Sequence, residues 1–230
     1  MLNILTAKIL AVYNQKGGCG KTTTTVNLAA YAGINGIRTL VIDIDPQGSA
    51  SRWIGRDAKD SFPADHVMMG EKDEDFDIKI ETITKSGKYD LIIIDCPPAV
   101  NNQAAQIALM ISDVVVVPAI PSPVDAHATD AGLSLINIIR RRSNPNMKVL
   151  QMNTRVARSN LAKSIISEIR KGAKSRGFIM LENGTADRSC YAESALLGKG
   201  VIQMKEDVPK KALEEVDAFC SEILTYTFED

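Results

Sequence analysis

Short runs of β-branched and aliphatic residues recur along the chain: ILAVYN (9–14), TLVIDID (39–45), DLIIIDC (90–96), DVVVVPA (113–119), VLQMNTR (149–155) and GFIMLEN (177–183). Their apolar residues are largely consecutive rather than alternating with polar ones, as in strands covered on both faces within a parallel sheet. Longer helical patterns separate them at 21–35, 101–111, 124–142, 161–176 and 209–226, the last opening with Pro209. Strand–helix–strand repetition predicts an α/β fold: a doubly wound, mainly parallel sheet with helices on both faces and right-handed crossovers. No linker, repeat or low-complexity tract interrupts it, so residues 1–230 are expected to form a single domain. The segment 55–88 is the least regular; it is acidic around EKDEDFD and reads as a surface insertion or short helices. Sheets of this kind bind ligands beyond the carboxyl ends of their strands, so the residues closing each run are where chemistry is expected.

Composition narrows the field only a little. A hydrophobic content of 45% suffices for a core, and a net charge of −1 says nothing for or against a polyanionic partner. The four cysteines, Cys19, Cys96, Cys190 and Cys220, form no CxxC pair, which argues against a zinc site or a disulfide framework and for a reducing compartment. The N-terminal MLNILTAK runs straight into the first strand without a basic leader, and no apolar run nears the roughly 18 residues of a membrane span. A cytoplasmic protein with no membrane partner is expected. His66 and His127 have no metal-ligand company, and Trp53 is read as a packing residue.

The strand ending near Asn14 is followed by QKGGCGKT and then a helix, nearly the phosphate-loop pattern G-x-x-x-x-G-K-[ST]. Gly17, Gly18 and Gly20 let the backbone curl so that its N–H groups face an anion, and the following helix adds the positive end of its dipole. Lys21 is placed to neutralise β- and γ-phosphates, and the hydroxyl of Thr22 to hold Mg²⁺. Cys19 fills a small variable position, and Thr23 continues the loop into the helix. The fold class is therefore that of a P-loop NTPase, with ATP and Mg²⁺ as the expected cofactors. YDLIIIDCPP ends an apolar strand at Asp95, which reads as a carboxylate serving Mg²⁺ through its water shell. In VIDIDPQG, strand alternation places Asp43 and Asp45 on one face, from which both could reach the loop; capping of the strand before a proline turn is the other reading.

The loop departs from the usual pattern: Gln15 stands where its first glycine belongs, and Lys16 follows. In K-G-G-x-x-K-[ST] the sequence resembles the deviant Walker A family, which includes ParA-type partition ATPases. The resemblance implies that Lys16 reaches across a two-fold interface to the partner's nucleotide, so that Lys16, Lys21 and Asp45 carry catalysis, Asp45 orienting the attacking water. It further implies that Asp43 lies near Mg²⁺ with Thr22 and Asp95. PAIPSPVDAHA (118–128) is similar to the family's proline-rich element. RSCYAESALLGKGV (188–201) is similar to its R-x-x-x-x-x-E-A-x-x-x-G-K-x-V stretch, through Arg188, Glu193, Gly198 and Lys199. QMNTR sits where the family places adenine contacts, which makes Asn153 and Arg155 candidates. A first strand beginning near residue 8 matches the small plasmid-type members, without an N-terminal DNA-binding extension.

Charge along the chain is uneven. From Arg155 to Arg176 there are seven basic residues and one acid, Glu168, and Arg140, Arg141 and Arg142 add three more. Arg158, Lys163, Arg170, Lys171 and Lys174 could hold a phosphate backbone by counterion release, or could form a solvated helix face that complements its dipole. The resemblance favours nonspecific DNA, bound by an ATP-dependent homodimer that a ParB-like centromere-binding protein releases, and hence a nucleoid-associated protein. A relative that positions a protein cargo would carry the same catalytic residues. A MinD-like membrane regulator is disfavoured by the acidic ending DAFCSEILTYTFED, and an iron–sulfur ATPase by the lack of a second suitable cysteine beside Cys96.

Overall fold

The computed structural model describes residues 6–56, 62–70, 75–99 and 101–229, with the backbone alone for 123–130. Seven strands are described: β1 (Lys8–Val12), β2 (Thr39–Asp43), β3 (Asp65–Met68), β4 (Leu91–Asp95), β5 (Val114–Ala119), β6 (Lys148–Asn153) and β7 (Ile179–Met180). They form one sheet in the order β3-β2-β4-β1-β5-β6-β7, and every pairing is parallel. The helices are α1 (Lys21–Ile34), α2 (Ser49–Ile54), α3 (Phe76–Lys85), α4 (Gln103–Ile111), α5 (Pro123–Arg142), α6 (Asn160–Ser175), α7 (Cys190–Leu197), α8 (Val201–Met204) and α9 (Lys210–Phe228). No described helix is long and apolar enough to cross a membrane.

Each strand splits its side chains between two cores, because successive residues point to opposite faces of the sheet. Leu10 and Val12 of β1 meet Leu28 of α1 and Phe219 and Ile223 of α9 on one side. Ile9, Ala11 and Tyr13 meet Leu109 of α4 and Ile136 of α5 on the other. β1 is flanked by β4 and β5, so the loop leaving its carboxyl end opens at the middle of the sheet edge.

The six runs of consecutive apolar residues all become strands. The segment 55–88 holds a short helix, as expected, and also a strand. It contributes the edge strand β3, paired with β2 from Leu40↔Asp65 to Asp43↔Met68, and the helix α3, whose Phe76 and Ile80 are buried. An edge strand covered on one side needs no continuous apolar run, and Asp65, His66 and Met68 are exposed. Part of the acidic stretch, 71–74, lies outside the described residues. The helices α2, α7 and α8 are too short for a helical period to declare itself.

Gly33 in α1 packs against Pro63, which leads into β3; a Cβ there would lie 1.7 Å from the Pro63 carbonyl oxygen. Gly33→Ala should therefore destabilise by about 1–3 kcal/mol, despite alanine's better helix propensity, because a backbone carbonyl cannot rotate away as a side chain could. A urea midpoint that falls at unchanged slope would show it; a midpoint that rises would refute the close approach.

Candidate functional site

The loop after β1 is anchored before it turns. Asn14, buried, donates from Nδ2 to the Pro118 carbonyl (2.8 Å) and accepts the Lys16 amide at Oδ1 (3.0 Å). Gly18 and Gly20 then adopt φ of 74° and 96°, a left-handed backbone that side-chain-bearing residues rarely take. At Gly17 and Gly18 an added Cβ would meet nothing within 4 Å, so this stretch borders open space. α1 starts at Lys21 with no side-chain cap and no acid in its first turn, which leaves its leading N–H groups available to an anion. Lys21, only 7% exposed, folds back so that Nζ donates to the Lys16 carbonyl (3.0 Å). Cys19 is buried, its thiol donating to that same carbonyl and its own carbonyl accepting the Thr154 hydroxyl (2.7 Å). Burial pushes its thiol pKa up, so it serves packing, and any contact it offers a ligand comes from its backbone.

Thr22 and Thr25, one turn apart on α1, donate to Oδ2 (2.8 Å) and Oδ1 (3.0 Å) of Asp95 at the end of β4. Burial pushes the Asp95 carboxyl up to about 7; the two hydroxyls and Lys21 oppose the shift, and the charge of Asp43 adds to it. The β2–β4 register sets Asp43 directly beside Asp95. The expected shared face of Asp43 and Asp45 is not found. β2 ends at Asp43, so strand alternation does not carry on to Asp45. The Asp43 carboxylate is fully buried, accepting the amides of Asp45 (3.1 Å) and Ser51 (2.8 Å) and thereby fixing the turn into α2. Only Asp45 reaches the cavity, where its Oδ1 accepts the Gln47 amide (2.9 Å).

These elements border a trough of about 550 Å³. Gly17, Gly18, Gly20, Thr154 and the start of α1 form one end, Asp45 and Trp53 one flank, and Arg155 and the segment Thr185–Arg188 the far wall. Among the described residues no three His, Cys, Asp or Glu gather in a way that could hold a metal alone. The Thr22–Asp95 pair instead suits a hard cation such as Mg²⁺, which takes few protein oxygens and completes its shell with water and phosphate.

Arg155 lines the trough with φ 51°, its Nε donating to Asp187 (3.3 Å). Asn153 is not among the lining residues; its buried Oδ1 has no hydrogen-bond partner. Sequence reasoning misses Thr185, Ala186 and Asp187 as wall residues, since nothing in an irregular loop marks the cavity it will border, and Tyr191, since α7 is too short to show which of its faces is covered. Arg188 was flagged by motif alone, and it forms a largely buried pair with Glu215 of α9. Trp53 packs as expected, with Nε1 donating to the Lys199 carbonyl (3.0 Å), yet its ring also borders the trough.

The basic segment is less uniform than its sequence implies. Arg158, Lys163 and Lys174 are exposed, the last two sharing a face of α6. Arg170 on that face is held by both oxygens of Glu182 (2.6 and 3.0 Å), and Lys171 by Glu168 (2.8 Å). Arg140 stacks on Phe178 at 5.0 Å and donates to the carbonyls of Gly177 and Arg176, so it clamps the end of α6.

A family model described as an AAA domain matches residues 7–75 and 62–149. Over 208 residues the chain is 31% identical to maintenance of carboxysome distribution protein A of Gloeobacter kilaueensis, covering 86% of this chain and 85% of that one. It is 30% identical over 201 residues to sporulation initiation inhibitor protein Soj of Bacillus subtilis, covering 71% and 79%. The fold is similar to that of cobyrinic acid a,c-diamide synthase from Mycobacterium smegmatis with bound ATP analogue and magnesium. The TM-score is 0.74 at 19% identity, over 96% of this chain and 95% of that one. The chain therefore belongs to the ParA-type family of P-loop ATPases.

Proposed function

We propose that this ATPase is a nucleotide-gated DNA-binding dimer that positions cargo in the cytoplasm by associating with the nucleoid. ATP lies in the trough with its phosphates on the loop from Gly17 to Gly20, and Lys21 exchanges the Lys16 carbonyl for a phosphate oxygen. When bound there, Mg²⁺ supplies charge neutralisation across the phosphates, with Thr22 and Asp95 as its protein side. Asp43 acts behind them by holding the Asp45 turn, and Asp45, at the flank, orients the attacking water.

The observation that carries this reading is the division of labour between two lysines five residues apart. Lys21 is sunk into the trough, whereas Lys16 lends its carbonyl to Lys21 and is not among the lining residues. In this reading the Lys16 side chain serves a nucleotide other than its own, as ATP-dependent pairing requires. Pairing brings two copies of the surface carrying Arg158, Lys163 and Lys174 together, so avidity can double the phosphate contacts without a change of fold. A partner protein of the ParB type then stimulates hydrolysis and returns the chain to a weakly binding monomer. Likeness to a carboxysome distribution protein favours a second version in which the cargo is a protein assembly rather than a centromere. The chemistry is the same in both; Arg155 is assigned to the base end of the nucleotide, and Asn153, which does not line the trough, acts behind it through its carbonyl bond to Thr185.

Three outcomes test this reading. Random duplex DNA should bind tightly with ATP, weakly with ADP, and weakly in either state for Lys16→Ala, whose salt slope should be roughly half that of the ATP form; equal affinity in all arms refutes the gated dimer. Asp45→Ala should form the ATP dimer by size-exclusion chromatography while hydrolysis falls about 100-fold or more; normal turnover would remove Asp45 from the mechanism. Asp95→Asn should lose about 100-fold in hydrolysis, yet melt no lower than wild type without nucleotide, because it relieves a buried carboxylate. A large fall in its melting temperature would show that the carboxylate is a net structural asset.

A further inference from the structure

The far wall of the trough, residues 182–188, has no regular structure of its own beyond one bridge, Val156↔Ala186. It is nevertheless tied down at nearly every residue. On its inner side the Asn153 carbonyl accepts the Thr185 amide (3.1 Å), Val156 donates to the Thr185 carbonyl (2.8 Å), and Arg155 donates its amide to the Thr185 hydroxyl (3.1 Å). Gly184 lies so close to β6 that a Cβ would sit 2.1 Å from the Asn153 oxygen. The wall thus has no slack toward the sheet.

Its outer side is gripped by two carboxylates of α9. Glu222 accepts the amides of Glu182 (2.9 Å) and Asn183 (3.0 Å) and the Asn183 side-chain amide (2.9 Å). Glu215 accepts the Ala186 amide (3.3 Å) and both Nε (3.0 Å) and Nη2 of Arg188. The two are seven residues apart, two helical turns, and so project from one face of α9. Phe219 stands between them on that stripe, buried, and is itself a lining residue of the trough. Each carboxylate takes three donors, and such charge-assisted hydrogen bonds are roughly twice as strong as neutral ones.

We propose that Glu215 and Glu222 are positioning residues for the nucleotide, a two-point brace through which α9 sets the wall that receives its base and ribose. The proposal rests on the placement of ATP proposed above: phosphates at Gly17–Thr22, with the base and ribose assigned to Thr185–Arg188, which line the same trough. Replacing either carboxylate by an amide keeps its size but converts one acceptor oxygen into a donor, which cannot satisfy the N–H groups it faces. The wall then relaxes at one point while the phosphate loop, held by Asn14 and Asp95, does not.

Glu215→Gln and Glu222→Gln, each assayed as the full chain, test it. The readouts are KM and kcat for ATP, inhibition by inorganic tripolyphosphate, which has no base, and melting temperature. The KM for ATP should rise roughly tenfold in each, with kcat within about twofold and tripolyphosphate inhibition unchanged. A merely structural role would weaken both ligands together, and that result, or an unchanged ATP KM in both variants, overturns the brace. Should Glu215→Gln melt below the assay temperature, Glu222→Gln carries the same comparison. Wild-type hydrolysis indifferent to Lys21→Ala would overturn the placement of ATP itself, a distinct failure.

Discussion

Asp95 ties the helix that follows the phosphate loop to the central strand β4. Its carboxylate, 1% exposed at the end of a central strand, is held by two threonine hydroxyls of the helix that follows the phosphate loop. A buried carboxylate is costly unless hydrogen-bonded, and these bonds satisfy it at the expense of occupying Thr22. The two oxygens expected to serve a metal are thus bonded to each other. Lys21 is bonded likewise to the Lys16 carbonyl. Both contacts tie the loop and the start of α1 to their surroundings.

Around that constraint the chain builds two walls of different character. The phosphate end comes from contiguous sequence, Asn14 to Thr25, with glycine φ angles and the start of a helix doing the shaping. The far end is assembled from β6, the segment 182–188 and α9, which lie far apart in sequence and meet through carboxylates and backbone amides. One end is therefore shaped by local geometry, whereas the other depends on how the last helix docks against α1 and β1.

The basic surface shows how charge in sequence overstates charge in space. Arg170, Lys171 and Arg140 are drawn into contacts with Glu182, Glu168 and the end of α6. Exposed ion pairs of this kind contribute little to stability, and a phosphate backbone can compete for the same cations. Arg158, Lys163 and Lys174 form the more available set.

The sequence by itself determined the parallel sheet, its central strands, the phosphate loop and the carboxylate Asp95, because each leaves a local mark: consecutive apolar residues, a glycine spacing, or an acid closing an apolar run. It also carried the second lysine, through a motif. Only the tertiary structure decided that Asp43 supports the α2 turn while Asp45 reaches the trough, since that hangs on the residue where β2 stops. It likewise decided that 65–68 is an edge strand and that Thr185, Asp187 and Tyr191 border the cavity. Those outcomes follow from contacts between segments distant along the chain, and such contacts leave no period or spacing in the order of the residues.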